Sequence, residues 1–213
     1  YARLEGRAAG QHIRVSRLET PTALLGYPAP AYTLAGKLPP RDGSGVWHIV
    51  PYQAFRTRDG YVLAGATNDA AWQRLCAAIG ADDLAADPAY ATTTLRIENR
   101  APVIEGLSRI FLQATTDHWV RLLDAANVPC SPVNDLAQTL AHEQTQAMGM
   151  VIDVPNRQGP AQRLVGVPLN LSATPATPGA APPRLGEHTD SILSDELGFD
   201  DGRIAALRKE GTI

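Results

Sequence analysis

The side chains with the widest chemical reach are few in this chain and far apart. Its five histidines, His12, His48, His118, His142 and His188, are scattered and show no metal-ligand spacing. Cys76 and Cys130 are also distant from one another, so a disulfide framework is not indicated, and a reducing compartment is the simpler reading. Cys130 lies in a proline-pinned stretch with no base near it in sequence. It reads as a small buried hydrophobe rather than a nucleophile. Gly43-Ser44-Gly45 is glycine-rich but too short to claim a phosphate cradle by itself. No P-loop, no G-x-S-x-G, no H-E-x-x-H and no G-x-G-x-x-G after a strand occurs anywhere. Residue chemistry alone therefore gives a soluble mixed α/β protein and no reaction.

Composition narrows the classes further. Hydrophobic residues make up 44% and charged residues 19%, a balance that supports a packed core. The net charge is −3 with no basic block, which argues against a dedicated nucleic-acid binder. No run approaches the ~20 apolar residues needed to span a bilayer, and residues 1–10 lack the apolar segment of a signal peptide. These features give the expectation of a cytoplasmic protein with no membrane partner.

The elements that would position any site can be read from periodicity and punctuation. Residues 1–9 read as the last turns of a helix with no cap before them, which raises the expectation that the chain is a portion of a longer protein. Residues 12–15 are a strand candidate, with Ile13 and Val15 on one face. Ser16-Arg17-Leu18-Glu19 has the form of a capping box, so a helix should follow through Leu24 and Leu25 toward Ala35, with Pro28 and Pro30 kinking or breaking it. Residues 36–45 form a linker, and a domain boundary is expected there. The strongest local signal is Asp59-Gly60 between two β-rich runs, 52–56 and 61–64. It predicts a hairpin whose glycine supplies a positive φ. Thr67 or Asn68 should cap a helix carrying Trp72, Leu75, Cys76 and Ile79, stopped by Gly80. A turn is expected at Asp87-Pro88. A long helix is expected over 94–113, and another is capped by Thr115 or Thr116. Residues 128–133 should be extended, 136–148 helical, and 150–154 and 164–167 strands. Residues 174–183 are a low-complexity connector, and two short helices close the chain.

Four segments taken in order carry a resemblance. They are Gly10-Gln11-His12-Ile13-Arg14-Val15-Ser16 with its acidic helix start; Ile49-Val50-Pro51-Tyr52-Gln53-Ala54-Phe55-Arg56-Thr57 followed by Asp59-Gly60; Val128-Pro129-Cys130-Ser131-Pro132-Val133-Asn134; and Leu185-Gly186-Glu187-His188-Thr189-Asp190. Each alone is weak, but their order and spacing resemble the second half of the class III CoA-transferases. That family includes bile-acid-inducible and formyl-CoA transferases and α-methylacyl-CoA racemase.

The resemblance implies an α/β fold: part of a Rossmann-like large domain plus an inserted smaller α+β domain with an antiparallel hairpin. It places residues 1–42 and 155–213 in the large domain and 43–154 in the small one. It implies CoA transfer from an acyl-CoA to a carboxylic acid through an aspartyl anhydride, by an aspartate expected upstream of Tyr1. No catalytic residue is then expected in this chain, and the chain alone should be inactive. It also implies an interlocked homodimer, no bound cofactor or metal, and coenzyme A as co-substrate.

By resemblance, Arg17 lines the acyl pocket, where it would pair with a carboxylate; otherwise it is a solvated first-turn residue. Gly43, Ser44, Gly45, Trp47 and His48 stand where some relatives carry a glycine-rich flap; otherwise they form a crossing loop with a packed tryptophan. His188 or Thr189 is expected to cap a helix. Asn68 stands where the racemase branch carries a proton-transfer glutamate, and an amide cannot take that proton. The adjacent Asp69 keeps a racemase open as an alternative, with helix capping as the plainer role of both. A non-catalytic interaction domain is the third reading.

Overall fold

The computed structural model describes residues 4–7, 9–156, 159–175 and 182–213. The chain divides into two compact units, Tyr1–Val133 and Asn134–Ile213.

In the first unit, the expected helix end at 1–9 falls partly on residues outside the described set. Residues 4–6 make a turn with Gly6 at φ +69°. Residues 12–15 are not a strand. Ile13 and Val15 are 74% and 79% exposed, and no described strand pairs with them, so the alternation has no ladder to join. Half of the expected capping box forms, with Ser16 Oγ accepting the Glu19 amide at 2.9 Å. The helix that follows is two short ones, α1 (Glu19–Ala23) and α2 (Pro28–Ala35). Gly26 at φ +57° separates them. Pro28 does not break a helix but starts one, at the first position, where the missing N–H costs nothing.

The hairpin pairs β1 (Tyr52–Arg56) with β2 (Tyr61–Gly65) in the register Tyr52↔Gly65 to Arg56↔Tyr61. The expected reason for its glycine is corrected: Gly60 is not among the residues at positive φ. The turn runs from Thr57 to Gly60, closed by the Thr57 amide on Gly60 O and the Gly60 amide on Thr57 Oγ1. Gly60 thus holds the last turn position, and a Cβ there would meet Thr116 Oγ1 at 3.1 Å.

Helix α3 (Asp69–Ile79) starts on Asn68, whose Oδ1 accepts the Ala71 amide at 2.8 Å, and ends on Gly80 at φ +68°. It buries Ala71, Trp72, Leu75, Cys76 and Ile79. A short α4 (Asp82–Ala86) and a 3-10 turn at Pro88–Tyr90 lead onward. The expected long helix is split into α5 (Thr93–Glu98) and α6 (Arg100–Phe111) at Asn99. Pro102 gives the reason: in a continuous helix its ring would clash with the carbonyl of Glu98. Thr115 caps α7 (Thr116–Ala125), and β3 (Cys130–Pro132) adds to β2, giving an antiparallel sheet of order β1-β2-β3.

One sheet face carries the buried Phe55, Val62 and Ala64, and the core also contains buried residues of α3, α6 and α7. Phe55 stacks on Phe111 at 4.8 Å, Phe111 meets Trp119 edge-on at 5.3 Å, and Trp119 Nε1 donates to Phe111 O. Strand and helices are therefore joined by one aromatic column.

The second unit begins with α8 (Leu136–Ala141), which carries a full capping box between Asp135 and Gln138, and α9 (Glu143–Ala147). These replace the single helix expected over 136–148, because His142 is extended at ψ 134° and caps α9 with Nδ1. Strands β4 (Val151–Val154) and β5 (Gln162–Val165) pair antiparallel. Of the expected connector, 176–181 lie outside the described residues. Helix α10 (Thr189–Ser191) continues as a π-turn over Ile192–Glu196, and α11 (Asp201–Lys209) follows. His188 occupies the N-cap position of α10, but no side chain caps it. The whole is a mixed α/β chain with two antiparallel sheets among the described residues.

Candidate substrate-binding site

The glycine-bearing stretch 42–50 lies across the outer edge of the hairpin. Val46 N–H donates to Tyr52 O at 3.0 Å, and Ala54 N–H donates to Ser44 Oγ at 3.1 Å. Those β1 groups face away from β2, so the stretch shields the free edge of the sheet. Within it, Gly45 N–H closes a tight turn on Asp42 O at 2.9 Å, with Gly43 at φ +61°. Arg100, the first residue of α6, pairs with Asp42 Oδ2 at 3.3 Å and donates to Val46 O at 3.2 Å. Trp47 and His48 meet edge to face at 5.1 Å, and the Tyr27 ring meets His48 at the same distance. Tyr27 thereby ties the corner between α1 and α2 to this stretch.

A second arginine fixes the neighbouring corner. Arg96 is fully buried. Its Nε donates to Val50 O at 2.9 Å, its Nη1 to Tyr90 O at 2.9 Å, and its Nη2 to Asp69 Oδ1 at 2.9 Å and Thr93 Oγ1 at 3.0 Å. The guanidinium also lies 5.2 Å from the Trp72 ring centre. The start of α3 and the end of the glycine stretch are thus clamped by one side chain. Asp69 also accepts from Thr93 Oγ1 at 3.1 Å. The Arg96 hydrogen bond, helped by Thr93, holds the Asp69 carboxyl below its usual range, against a smaller opposing effect of desolvation.

Of the residues singled out from sequence, Gly43, Ser44, Gly45, Trp47 and His48 form one continuous strap on β1. Asn68 stands at the α3 corner with its Oδ1 committed to the helix cap. Arg17 is exposed and pairs with no acid among the described residues. An open cleft of about 340 Å³ is lined by Arg14, Ser16 and Glu19 among others, and Arg17 is not one of its lining residues. Burial pushes the Cys76 thiol up to about 12, and burial also raises that of the half-buried Cys130, which favours the thiol over the thiolate in both.

Arg96, Arg100, Asp42 and Tyr27 were not singled out from sequence. For Arg96 a signal did exist. It lies 7, 11 and 15 positions before the buried Val103, Leu107 and Phe111, so a charge sits on the apolar stripe. For Asp42 and Arg100, 58 positions apart, no local pattern pointed to the pair.

The chain matches CoA-transferase family III over residues 1–189 and belongs to that family. An acyl-CoA transferase of Fusarium pseudograminearum is 36% identical over 206 residues, 96% of this chain and 45% of that protein. The succinyl-CoA:glutarate CoA-transferase of Homo sapiens is 31% identical over 204 residues, 96% of this chain and 47% of that protein. A crystal structure of a CAIB/BAIF family protein from Brucella suis superimposes with a TM-score of 0.77 at 30% identity, covering 91% of this chain and 50% of that one. The chain spans about half the length of the curated relatives it matches.

Proposed function

We propose that the intact protein carrying this chain moves coenzyme A from an acyl-CoA to a carboxylic acid, and that the acceptor is a dicarboxylic acid. The acceptor class is supported by the relative whose name specifies transfer between succinyl-CoA and glutarate. In this reading an aspartate outside the chain attacks the thioester carbonyl. The C–S bond breaks, the CoA thiolate leaves, and a mixed anhydride remains. The thiolate returns to the aspartyl carbon and frees the donor acid. The acceptor carboxylate then takes up the aspartyl thioester by the same steps in reverse.

This chain would supply the wall of the acyl site: the strap of Gly43, Ser44, Gly45, Trp47 and His48, the Asn68 corner, and Arg17 as a cation for the acceptor's free carboxylate. Residues 1–42 and 155–213 would belong to a large domain and 43–154 to a smaller one, and the intact protein would be an interlocked homodimer. The chain alone would be inactive, and the intact protein would work in the cytoplasm. Among the described residues, no helix is long and apolar enough to cross a membrane.

The observation that carries transfer over racemisation is the engagement of the Asn68–Asp69 corner. Asn68 Oδ1 caps α3, and Asp69 Oδ1 accepts from both Arg96 and Thr93, so that carboxylate is tied to the fold at one oxygen and its proton affinity is lowered. A 2-methylacyl-CoA racemase needs titratable groups on both faces of the α-carbon. The test follows solvent deuterium at the α-carbon of a chiral 2-methylacyl-CoA, beside transfer to dicarboxylates. Transfer without washout is expected; rapid washout with no transfer to any acid reverses the assignment.

A further inference from the structure

Gly45 and Arg100 are matched to each other in a way that backbone conformation does not require. Gly45 is not among the residues at positive φ, so its dihedrals alone would admit a side chain. A Cβ at that position, however, would stand 2.3 Å from Arg100 Nη2, and 3.1 Å from Asp42 O. The guanidinium thus occupies the space that a Cβ at 45 would need. From there it pairs with Asp42 on one side of the turn and donates to Val46 O on the other. Both acidic and basic side chains are about three-quarters covered, at 24% and 22% exposure. Further anchors of the strap include the Val46–Tyr52 backbone bond, the Ser44 hydroxyl accepting from the Ala54 amide, and the Tyr27 ring on His48. Trp47 and His48 follow directly on this fixed turn.

We propose that Arg100 is a positioning residue for the transfer reaction: it latches the Gly43–Ser44–Gly45 turn onto β1 and so sets where Trp47 and His48 stand. The catalytic half of this rests on the reading that the strap borders the acyl site. The latch itself rests only on the geometry. Arg100 is suited to the task because one planar guanidinium reaches a carboxylate and a carbonyl at once, which a lysine ammonium at the same site does less well.

The test is hydrogen–deuterium exchange over residues 42–56 of the purified protein, with β2 as the internal reference for folding. Arg100→Gln and Gly45→Ala should each speed exchange of the Gly45, Val46 and Ala54 amides, roughly tenfold for a lost charge-assisted bond. Asp42→Asn, confined to the loop, should do the same more weakly and guards against a variant that does not fold. The two main changes should not add. Once Arg100 is Gln, the 2.3 Å clash at position 45 is gone and only the closer-than-usual approach to Asp42 O at 3.1 Å remains, so the double variant should stay near Arg100→Gln and well short of the sum of the two. Additive effects, or unchanged exchange in Arg100→Gln, overturn the latch. In the transfer assay, Arg100→Gln should raise KM for the acceptor acid several-fold with a smaller change in kcat, and Arg100→Lys should restore part of it. Faster exchange with an unchanged KM overturns the positioning role and leaves the transfer reading standing. No transfer by the intact protein without substitutions, with exchange as expected, overturns the transfer reading while the latch survives.

Discussion

Arg96→Met removes the one side chain that ties the start of α3, the residue before Pro51 and the first turn of α5 to a single point. The replacement is unbranched and of comparable length, so shape is roughly kept while every hydrogen bond is lost. Val50 is fully buried, and its carbonyl loses the Nε partner recorded at 2.9 Å. The Tyr90 carbonyl loses Nη1, also at 2.9 Å. Each orphaned acceptor costs about 1–3 kcal/mol. The contact with Trp72 adds roughly 0.5–2 kcal/mol. Asp69 contributes little to the loss, since its side chain is 53% exposed and water can replace the guanidinium. These ranges add to about 2.5–8 kcal/mol; because Tyr90 is only half-buried, the lower part, about 3–5 kcal/mol, is expected, a large part of a typical domain stability of about 5–15 kcal/mol. At about 3–4 °C per kcal/mol for a unit of this size, Tm should fall by roughly 10–20 °C. Asp69→Asn should cost much less than Arg96→Met, because the amide oxygen still accepts from Arg96 and the position is half exposed. Urea denaturation of the two variants side by side checks this. A cost for Arg96→Met below about 1 kcal/mol, or equal costs for the two, would refute the assignment of the energy to the buried carbonyls.

Asp59 accepts from the Thr116 amide at 2.8 Å as well as from two threonine hydroxyls, and these bonds lower its pKa from 3.8. A depressed folded pKa contributes stability that is full above the unfolded value and is lost as pH falls through the folded one. Asp59→Asn should therefore be less stable than the parent at neutral pH and converge with it in melting scans as pH falls through the lowered folded value. Cys76, with its thiol pushed up to about 12, and Cys130, also raised, should resist iodoacetamide at about pH 8 until urea is added. Mass spectrometry showing rapid native labelling of Cys76 would contradict the burial argument. The 213-residue chain by itself should give no exchange between an acyl-CoA and a labelled acid. Turnover by the purified chain would place the nucleophile within it.

What could be read from sequence follows the range of each interaction. The hairpin, the Asn68 cap, the Gly80 stop and the extended stretch 128–133 are set by neighbours a few positions apart, and they formed as expected. The splits at Asn99 and at residues 24–27 were equally local. Pro102 and Gly26 signalled them, but the apolar periodicity outweighed the punctuation. Ile13 and Val15 misled because alternation states only which face is apolar, not whether a partner strand exists. The candidate site was legible as a stretch of sequence, Gly43 to His48, and not as an arrangement. Its anchors, Arg100, Arg96 and Tyr27, come from distant positions that only the fold brings together. Gly60 was assigned correctly to the turn for a reason that the register then replaced, since the glycine ends the turn instead of forming its tip.

The central claim is that the intact protein exchanges coenzyme A between acids. The most direct measurement incubates it with succinyl-CoA and carbon-labelled glutarate, and separates thioesters from free acids over time. The account predicts label in the glutaryl thioester matched by release of free succinate, with no net loss of thioester. Consumption of succinyl-CoA without a labelled thioester, or no change at all with glutarate and with other dicarboxylates of similar length, would contradict it.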